Sequence, residues 1–314
     1  TYTDILIYDK GHENDLEVAQ NTLNSIAKKL EASEQGHSEI DEINDKAGVS
    51  PVKVSKETFE FMEYSVKYAK ETKGLFNPAI GAINKLWRIG FPDAEVPKDE
   101  FIKQALDKVD YKDIELNKEN QTVFLKKKGM LVIPGAIGKA FLGVHILDDL
   151  KAKGVTTAVV NLGGHAYTMG KNPKYKSGAW RVAIANPELG DSAQTGELGI
   201  LTSKHISFNT SNYYGRYLKY GDQVYSHLLD SKTGYPIDND LLSVTIVGDN
   251  PVWDDALSNS VFSMGLKEGM KYINNHSEVD AVFVTKDKKV YVSKHIPGEF
   301  VLTNTTFTLG KDIN

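Results

Sequence analysis

Apolar residues recur every three or four positions near the start of the chain, and this spacing predicts amphipathic helices. After a strand-like opening at residues 3–9, the first helical stretch contains Leu16, Ala19, Leu23, Ile26 and Leu30. A second stretch, ending near Gly74, contains Phe59, Met62, Val66 and Ala69. Polar and acidic residues interrupt the pattern from residue 31 to residue 42, so we predict a loop there.

The middle of the chain predicts a strand, a glycine-rich turn and a helix in succession. Residues 131–135 form a short apolar run, and helical spacing then continues to Gly154. Residues 156–161 are typical of a strand that ends at the pair Gly163-Gly164. Residues 172–178, rich in Pro, Gly and Lys, predict a surface loop.

The C-terminal part predicts strands that pair around one helix. Strand patterns cover residues 241–247, 280–286 and 289–293, and a helix is predicted at residues 254–276. Strands and helices alternate irregularly along the whole chain. This favours an α+β fold with a mixed, largely antiparallel sheet and flanking helices over a doubly wound fold.

Composition excludes several classes of function. The 314 residues are 40% hydrophobic, enough to bury a core, and the net charge is −5. The 37 Lys and Arg residues are scattered, so we expect no nucleic-acid partner. Cysteine is absent, which excludes disulfides, thiolate nucleophiles and cysteine-ligated metals within this sequence. No run approaches the roughly 20 apolar residues that cross a bilayer.

The turn before the middle helix is a candidate phosphate site. It reads Pro134-Gly135-Ala136-Ile137-Gly138-Lys139-Ala140, where small residues let the backbone approach a ligand at a helix start and Lys139 adds positive charge. It is not a Walker A loop, because Ile133 stands where the first glycine is required and Ala140 replaces the Ser or Thr. Many such turns are only tight connections between a strand and a helix.

A candidate cation site lies at the start of the C-terminal helix. Asp255 and Asn259 are four residues apart and therefore share a helical face. Two oxygen ligands one turn apart, beside a phosphate, suit Mg²⁺. The competing interpretation is that an Asp near a helix start is a cap or a partner of the helix dipole.

His227 is a candidate catalytic residue, on a predicted strand that runs into a Gly/Pro turn over residues 225–236. None of the eight His residues has a zinc-protease spacing, so a His-based zinc site is not supported. Three further segments read as turns when taken alone. They are Asn161-Leu162-Gly163-Gly164-His165, Asn209-Thr210-Ser211-Asn212-Tyr213-Tyr214 and Phe76-Asn77-Pro78-Ala79-Ile80-Gly81.

Read in order, these segments resemble the ApbE family of flavin transferases over nearly the whole chain. The resemblance includes the glycine turn at residues 135–140, Asn-Leu-Gly-Gly at residues 161–164 and a Thr-Ser-x-x-Tyr element at residues 210–214. It also includes the His motif at residues 225–236 and the Asp-Ala-Leu helix at residues 255–260. The departures from the family pattern are Ile133, Pro134, Ala140, His165 in place of Asp, Ser231 in place of Pro, and Asn259 in place of the metal-binding Thr.

The resemblance implies an ApbE or T-fold-like domain over residues 1–314, with two subdomains sharing an FAD cleft. It implies FAD as the FMN donor and Mg²⁺ held by Asp255, Asn259 and the backbone oxygen of Ala136. The residues it assigns to FAD are Asn44, Gly135, Ala136, Lys139, Gly163, Gly164, Thr210, Ser211, Tyr214 and Asp230. For Lys139 the alternative is a structural ion pair with a carboxylate. For Tyr214 and Trp87 the two interpretations are stacking on the flavin and packing in the core.

The activity implied is transfer of FMN from FAD to a Thr or Ser hydroxyl of an acceptor protein, with release of AMP and with His227 as general base. The implied acceptor contains an Asp-x-x-Ser/Gly-Ala-Thr motif. The family also implies an extracytoplasmic lipoprotein, anchored to the membrane by a lipid outside this sequence. Two alternatives stay open: an FAD pyrophosphatase that forms FMN and AMP, and a non-catalytic flavin-binding lipoprotein.

Overall fold

The computed structural model describes residues 2–32, 36–188, 196–294, 296 and 299–311. The chain divides into two compact units. The first unit comprises Thr1–Thr22, Lys139–Gly215 and Asp238–Asn314, and the second comprises Leu23–Gly138 and Arg216–Ile237. Within the described ranges, every helix is too short or too polar to cross a membrane.

The secondary structure mixes helices with short strands. The helices are α1 (Leu16–Leu30), α2 (Glu39–Asp45), α3 (Lys56–Glu71), α4 (Gly81–Trp87), α5 (Asp99–Leu106), α6 (Gly138–Ala152) and α7 (Pro251–Asn274). The strands are β1 (Thr3–Ile7), β2 (Val52–Lys53), β3 (Ile114–Asn117), β4 (Thr122–Leu125), β5 (Ala158–Leu162), β6 (His165–Met169), β7 (Trp180–Ala185), β8 (Glu197–Ser203), β9 (Ser207–Asn212), β10 (Tyr217–Tyr220), β11 (Gln223–Ser226), β12 (Leu241–Gly248), β13 (Val279–Thr285), β14 (Lys289–Val292), β15 (Glu299–Leu302) and β16 (Thr308–Leu309).

The first unit is built on an eight-stranded sheet in the order β1-β5-β6-β9-β12-β13-β14-β16. Neighbouring strands are antiparallel except β14 and β16. Every residue of β12 and β13 is buried, because α7 packs against both strands and other apolar residues cover the sheet. A three-stranded sheet, β15-β8-β7, contributes Trp180, Leu198 and Leu201 to this core. The α+β, largely antiparallel prediction is confirmed.

The second unit contains α2 to α5, the three-stranded sheet β2-β4-β3 and the hairpin β10-β11. One of its core clusters forms around Ile83, Trp87 and Ile102. Trp87 is 0% exposed and its Nε1–H donates to the carbonyl oxygen of Gly234 at 2.8 Å. The indole therefore ties the turn after β11 to α4 and packs in the core, so the flavin-stacking role considered for Trp87 has no support from its position.

Most of the predicted elements are present. Helices α1, α3, α6 and α7, strand β5 and the hairpin β13-β14 match the patterns in the sequence. Helix α7 begins earlier than predicted, at Pro251, because the Asn250 side chain accepts a hydrogen bond from the N–H of Trp253 and Pro occupies the first turn. At Gly265 the backbone has φ of 73° and kinks the helix.

Three predictions from the pattern are wrong. Residues 39–45 are helical, not loop: Ser38 and Asp41 form a capping box, and Ile40 and Ile43 are buried. Seven residues are too few to show a helical period. Residues 33–35, in the same predicted loop, lie outside the described residues.

Residues 131–135 do not form a strand, since Leu131 makes only a single bridge to Ile80. His227 also lies just beyond its predicted strand, because β11 ends at Ser226. Helices α4 and α5 and strands β7 to β10 were not anticipated from the pattern, because they are short and several are partly exposed.

A stability prediction arises from His205 in the first unit. Asp280, 3.8 Å from Nε2, and Asp249, 3.0 Å from Nδ1, raise the pKa of His205 above its ordinary value of 6.5. This contribution to stability is complete below pH 6.5 and is lost as pH rises through the folded-state pKa. We expect His205→Gln to remove a pH dependence on the order of 1 kcal/mol in the free energy of unfolding above pH 6.5, measured by urea unfolding. An identical dependence in the variant would contradict this.

Candidate active site

The predicted cation ligand Asp255 is a buried, unsatisfied carboxylate. It lies in the second turn of α7, is 0% exposed, and neither carboxylate oxygen accepts a hydrogen bond from a described residue. The N-cap of α7 is Asn250, so Asp255 is not the capping residue. A buried carboxylate without hydrogen bonds is costly unless a positive charge accompanies it. The structure thus excludes the cap interpretation; the described group at ion-pair distance from Asp255 is His165, and a bound cation stays a prediction.

A hydrogen-bonded group of side chains from the sheet reaches Asp255 through His165. The nearest is His165 on β6, whose Nδ1 lies 3.3 Å from Oδ1 of Asp255 and 3.1 Å from Oδ1 of Asn209 on β9. Tyr167 donates its hydroxyl proton to the same Asn209 oxygen at 2.9 Å. Burial, followed by the charges of Asp255 and Asp254, raises the pKa of Tyr167, which keeps this donor protonated.

The predicted partner Asn259 lies one turn after Asp255, as expected. Its Nδ2 donates to the backbone oxygen of Asp255 at 3.3 Å, so the side-chain oxygen Oδ1 is the atom suited to ligate a cation. A carboxylate and an amide oxygen are hard donors of the kind Mg²⁺ takes. Among the described residues no group of three or more His, Asp and Glu side chains has a metal-binding arrangement. The predicted ligand set contains one carboxylate only, and it needs substrate or water oxygens to be complete.

Strand β9 brings Thr210 and Ser211 to opposite faces of the sheet. Ser211 is buried, and its hydroxyl lies 2.9 Å from the hydroxyl of Ser258 on α7. Thr210 lies 2.8 Å from the hydroxyl of Thr245 on β12. These contacts hold β9 against α7 and β12. Tyr214, after β9, is half-buried, and its backbone N–H donates to Asn212 at 2.8 Å.

Gly163 and Gly164 form the tight turn between β5 and β6. Their φ angles are 61° and 89°, in the left-handed region that favours glycine. The N–H of Gly164 donates to the side-chain oxygen of Asn161 at 3.0 Å. The turn leads directly into His165 and so positions the ring beside Asp255.

The glycine turn before α6 is open. Gly135 is exposed, and apart from the glycine and its two chain neighbours no described heavy atom lies within 4 Å of the point where its Cβ would stand. Ala136 follows in the same turn, which the N–H of Gly138 closes by donating to the carbonyl oxygen of Pro134 at 2.8 Å. Lys139 is half-buried in the first turn of α6. A ligand can therefore approach the backbone of Gly135 and Ala136 closely.

Asn44 has a structural role in the second unit, because its side chain binds the backbone of Val132. Its Nδ2 donates to the carbonyl oxygen of Val132 at 3.0 Å, and its Oδ1 accepts from the N–H of Val132 at 2.7 Å. This pair of bonds fixes the extended segment that leads to Gly135. Any contact of Asn44 with FAD remains a prediction.

His227 is anchored by the main chain of Arg216. The backbone N–H and the ring Nδ1 of His227 both lie 3.0 Å from the carbonyl oxygen of Arg216. A carbonyl only accepts, so Nδ1 is protonated, and in the neutral ring the lone pair lies on Nε2. The geometry thus gives the ring a defined orientation and a basic Nε2, as a general base requires.

Asp230 shapes the turn that follows His227. Its Oδ1 accepts from the N–H of Lys232 at 2.7 Å, and its backbone bonds to Gly234 and Tyr235. Ser231, at the position where the resemblance has Pro, donates its hydroxyl to the carbonyl oxygen of Gly74 at 2.8 Å. This contact keeps the turn anchored despite the substitution.

A cleft of about 110 Å³ in the second unit borders His227. Its lining residues are Asn84, Trp87, Arg88, Ile89, Phe91, Arg216, His227 and Leu229. The two arginines were not anticipated from the sequence, because neither belongs to a motif. Arg216 follows the segment at residues 209–214. Because it lies eleven residues before His227, the sequence alone does not show that the two residues are in contact.

The site residues thus belong to different parts of the chain. The first unit brings Asp255, Asn259, Ser211 and the Gly163-Gly164 turn together around α7. The second unit contains Asn44, the glycine turn, His227 and Asp230. The assignment of these residues to FAD and to Mg²⁺ stays a prediction.

Comparison with known proteins agrees with the motifs. A profile described as the ApbE family matches residues 1–283. A Klebsiella pneumoniae protein named FAD:protein FMN transferase is 31% identical, covering 82% of this chain and 78% of its own, and a Treponema pallidum protein of the same name is 30% identical, covering 97% and 87%.

Solved structures share the fold. The ApbE protein of Thermotoga maritima matches with a TM-score of 0.81 and 24% identity over 92% of both chains. The flavin transferase ApbE of Vibrio cholerae matches with a TM-score of 0.77 and 22% identity over 94% of both chains. With the profile covering nine-tenths of its length and the motifs in the family's order, this chain belongs to the ApbE family.

Proposed function

We propose that this chain is an FAD:protein FMN transferase that requires Mg²⁺. The observation that carries the proposal is the buried Asp255 carboxylate without hydrogen bonds, located on the helix whose motif the family shares. Relatives at 30% and 31% identity have this activity as their name. A transferase reaction agrees with both the buried carboxylate and the names of these relatives.

In the proposed enzyme, Asp255 and the Oδ1 of Asn259 would hold Mg²⁺, and water and substrate oxygens would complete its coordination. When bound, the ion would supply neutralisation of the negative charge on the diphosphate oxygens. His165 lies against the carboxylate of Asp255 from the sheet side, and Asn209, which accepts the hydroxyl proton of Tyr167, holds the His165 ring. The open turn at Gly135 accepts the diphosphate against its backbone.

The nucleophile is a Thr or Ser hydroxyl of the acceptor protein. Nε2 of His227 takes the hydroxyl proton while the oxygen attacks the phosphorus on the FMN side, and the bond to AMP breaks in line. The products are FMN joined to the acceptor by a phosphoester bond, and AMP. General-base assistance of this kind contributes about 10²–10⁴ in rate.

The test is incubation of the full chain with FAD, Mg²⁺ and an acceptor protein with an Asp-x-x-Ser/Gly-Ala-Thr segment, followed by intact mass spectrometry and nucleotide analysis. The expected result is an acceptor heavier by one FMN together with one AMP per transfer. Free FMN with an unmodified acceptor would indicate an FAD pyrophosphatase. Bound but intact FAD would indicate a flavin carrier.

We further propose that the protein acts outside the cytoplasm, anchored to the membrane by a lipid. Membership of the family supports this proposal. Fractionation of the native cells tests it, with the protein expected in the membrane fraction and extracted by detergent. Recovery in the soluble cytoplasmic fraction would contradict it.

A further inference from the structure

The surface loop predicted at residues 172–178 is present, and no part of the proposed active site uses it. It joins β6 to β7, and together with the first residues of β7 it forms the basic loop (residues 171–181). Its four cations, all exposed, are Lys171, Lys174, Lys176 and Arg181. Residues 150–187 contain no Asp or Glu, although the net charge of the chain is −5. The basic loop is therefore positive on a chain that is negative as a whole.

The cations of the basic loop have no acidic partner in the part of the chain that the structure describes. None of the four forms an ion pair with a described carboxylate. Glu188, the first acidic residue after the loop, is engaged by Lys288 at 2.7 Å. Uncompensated charges of one sign create a potential that attracts an anionic partner.

Hydrogen bonds close the base of the basic loop. The N–H of Asn172 donates to the carbonyl oxygen of Gly178 at 3.0 Å, and the Asn172 side chain accepts from the N–H of Lys174 at 3.0 Å. Nε1–H of Trp180 donates to the carbonyl oxygen of Gly170 at 3.3 Å. The φ angles of Gly170 and Gly178 are 75° and 69°, in the left-handed region that favours glycine. Because the backbone is already closed, little of it has to be ordered on binding.

An exposed tyrosine lies among the cations. Tyr175 is 40% exposed, and the guanidinium of Arg181 lies 5.7 Å from its ring centroid. Tyrosine has an apolar ring and a polar hydroxyl, and it is enriched where lipid headgroups meet the apolar interior of a membrane. Lysines are point charges on flexible stems, which suit mobile phosphate headgroups better than a carboxylate in a fixed geometry. Four cations on one loop do not form the stripe that follows a nucleic-acid backbone.

We infer that the basic loop binds the surface of a membrane that contains anionic phospholipids, with the ammonium groups against lipid phosphates and Tyr175 at the level of the headgroups. This contact goes beyond the proposed reaction, in which these residues have no role, and it needs no lipid attached to the protein. Each Lys or Arg close to an anionic bilayer strengthens binding about fivefold, so the four cations together contribute about 500-fold.

The experiment measures sedimentation of this chain, without any attached lipid, with vesicles of equimolar phosphatidylcholine and phosphatidylglycerol and with vesicles of phosphatidylcholine alone. The chain should bind the anionic vesicles only, and less at high salt, because salt screens the attraction. Lys174→Gln combined with Lys176→Gln should weaken binding about 25-fold at an unchanged Tm. The control is Lys267→Gln combined with Lys271→Gln, which removes the same charge from exposed positions of α7 and should weaken binding less than about twofold.

A single fluorescent label locates the contact. Because the sequence has no cysteine, Ser177→Cys provides one attachment point for an environment-sensitive fluorophore, at an exposed position of the basic loop. Its emission should rise and shift to the blue on the anionic vesicles. The same label at Ser277→Cys, exposed in the turn after α7, should not respond.

Equal binding to both kinds of vesicle, no binding to the anionic vesicles, or equal losses for the two lysine pairs would each overturn the inference. So would a fluorophore that responds alike at both positions. Binding of soluble polyglutamate as tightly as the anionic vesicles would also overturn it, because the basic loop would then recognise an acidic polypeptide and not a bilayer.

Discussion

Replacing His227 by alanine is expected to lower the rate of FMN transfer at least about a hundredfold while leaving FAD binding nearly unchanged. The reason is that Nδ1 donates to the Arg216 carbonyl, which leaves Nε2 as the basic nitrogen of a ring fixed in one orientation. Loss of the ring removes the proton acceptor for the attacking hydroxyl. The measurement is single-turnover transfer under saturating FAD and Mg²⁺, with FAD affinity determined separately by flavin fluorescence.

A matched variant separates the base from the hydrogen bond. In His227→Asn the side-chain amide can still donate to the Arg216 carbonyl, but it has no basic nitrogen. Both variants should be equally slow if the base is what matters. Near-normal transfer by His227→Asn would show that the ring only holds the hairpin end, and the proton would have to leave by another route.

Replacing Asp255 by asparagine should abolish Mg²⁺ binding and lower transfer about a thousandfold or more. The same change should stabilise the metal-free protein by about 1–3 kcal/mol, because a buried carboxylate without hydrogen bonds is replaced by a neutral amide of the same shape. These opposite effects are the signature of a carboxylate retained for its ligand. Titration calorimetry with Mg²⁺, and thermal unfolding with and without the ion, measure them.

The neighbouring Asp254 is the control for this variant. It is also 0% exposed, and burial raises its pKa to about 7, but one of its oxygens accepts a hydrogen bond from the N–H of Asn250 at 3.2 Å. Asp254→Asn should therefore keep the stabilisation by Mg²⁺. If Asp255→Asn retained the same Mg²⁺-dependent rise in Tm as the unaltered chain, the cation would have to bind elsewhere.

The candidate site was predictable where its chemistry lies within one segment. Asp255 and Asn259 share a helical face because they are four residues apart, and the structure keeps them so. The environment that makes Asp255 unusual was not predictable. It is made by His165 and Asn209 on two strands, and no local pattern pairs those strands with α7.

The sequence by itself determined the long helices, the hydrophobic strands and the family, since each depends on periodicity or on residues contiguous in the chain. Only the tertiary structure decided that neither carboxylate oxygen of Asp255 accepts a hydrogen bond, and that Arg216 lies opposite His227. Both facts depend on strand register and burial, which arise from contacts between residues far apart in sequence. A pattern along the chain does not show which hydrogen-bond partners a buried side chain will have.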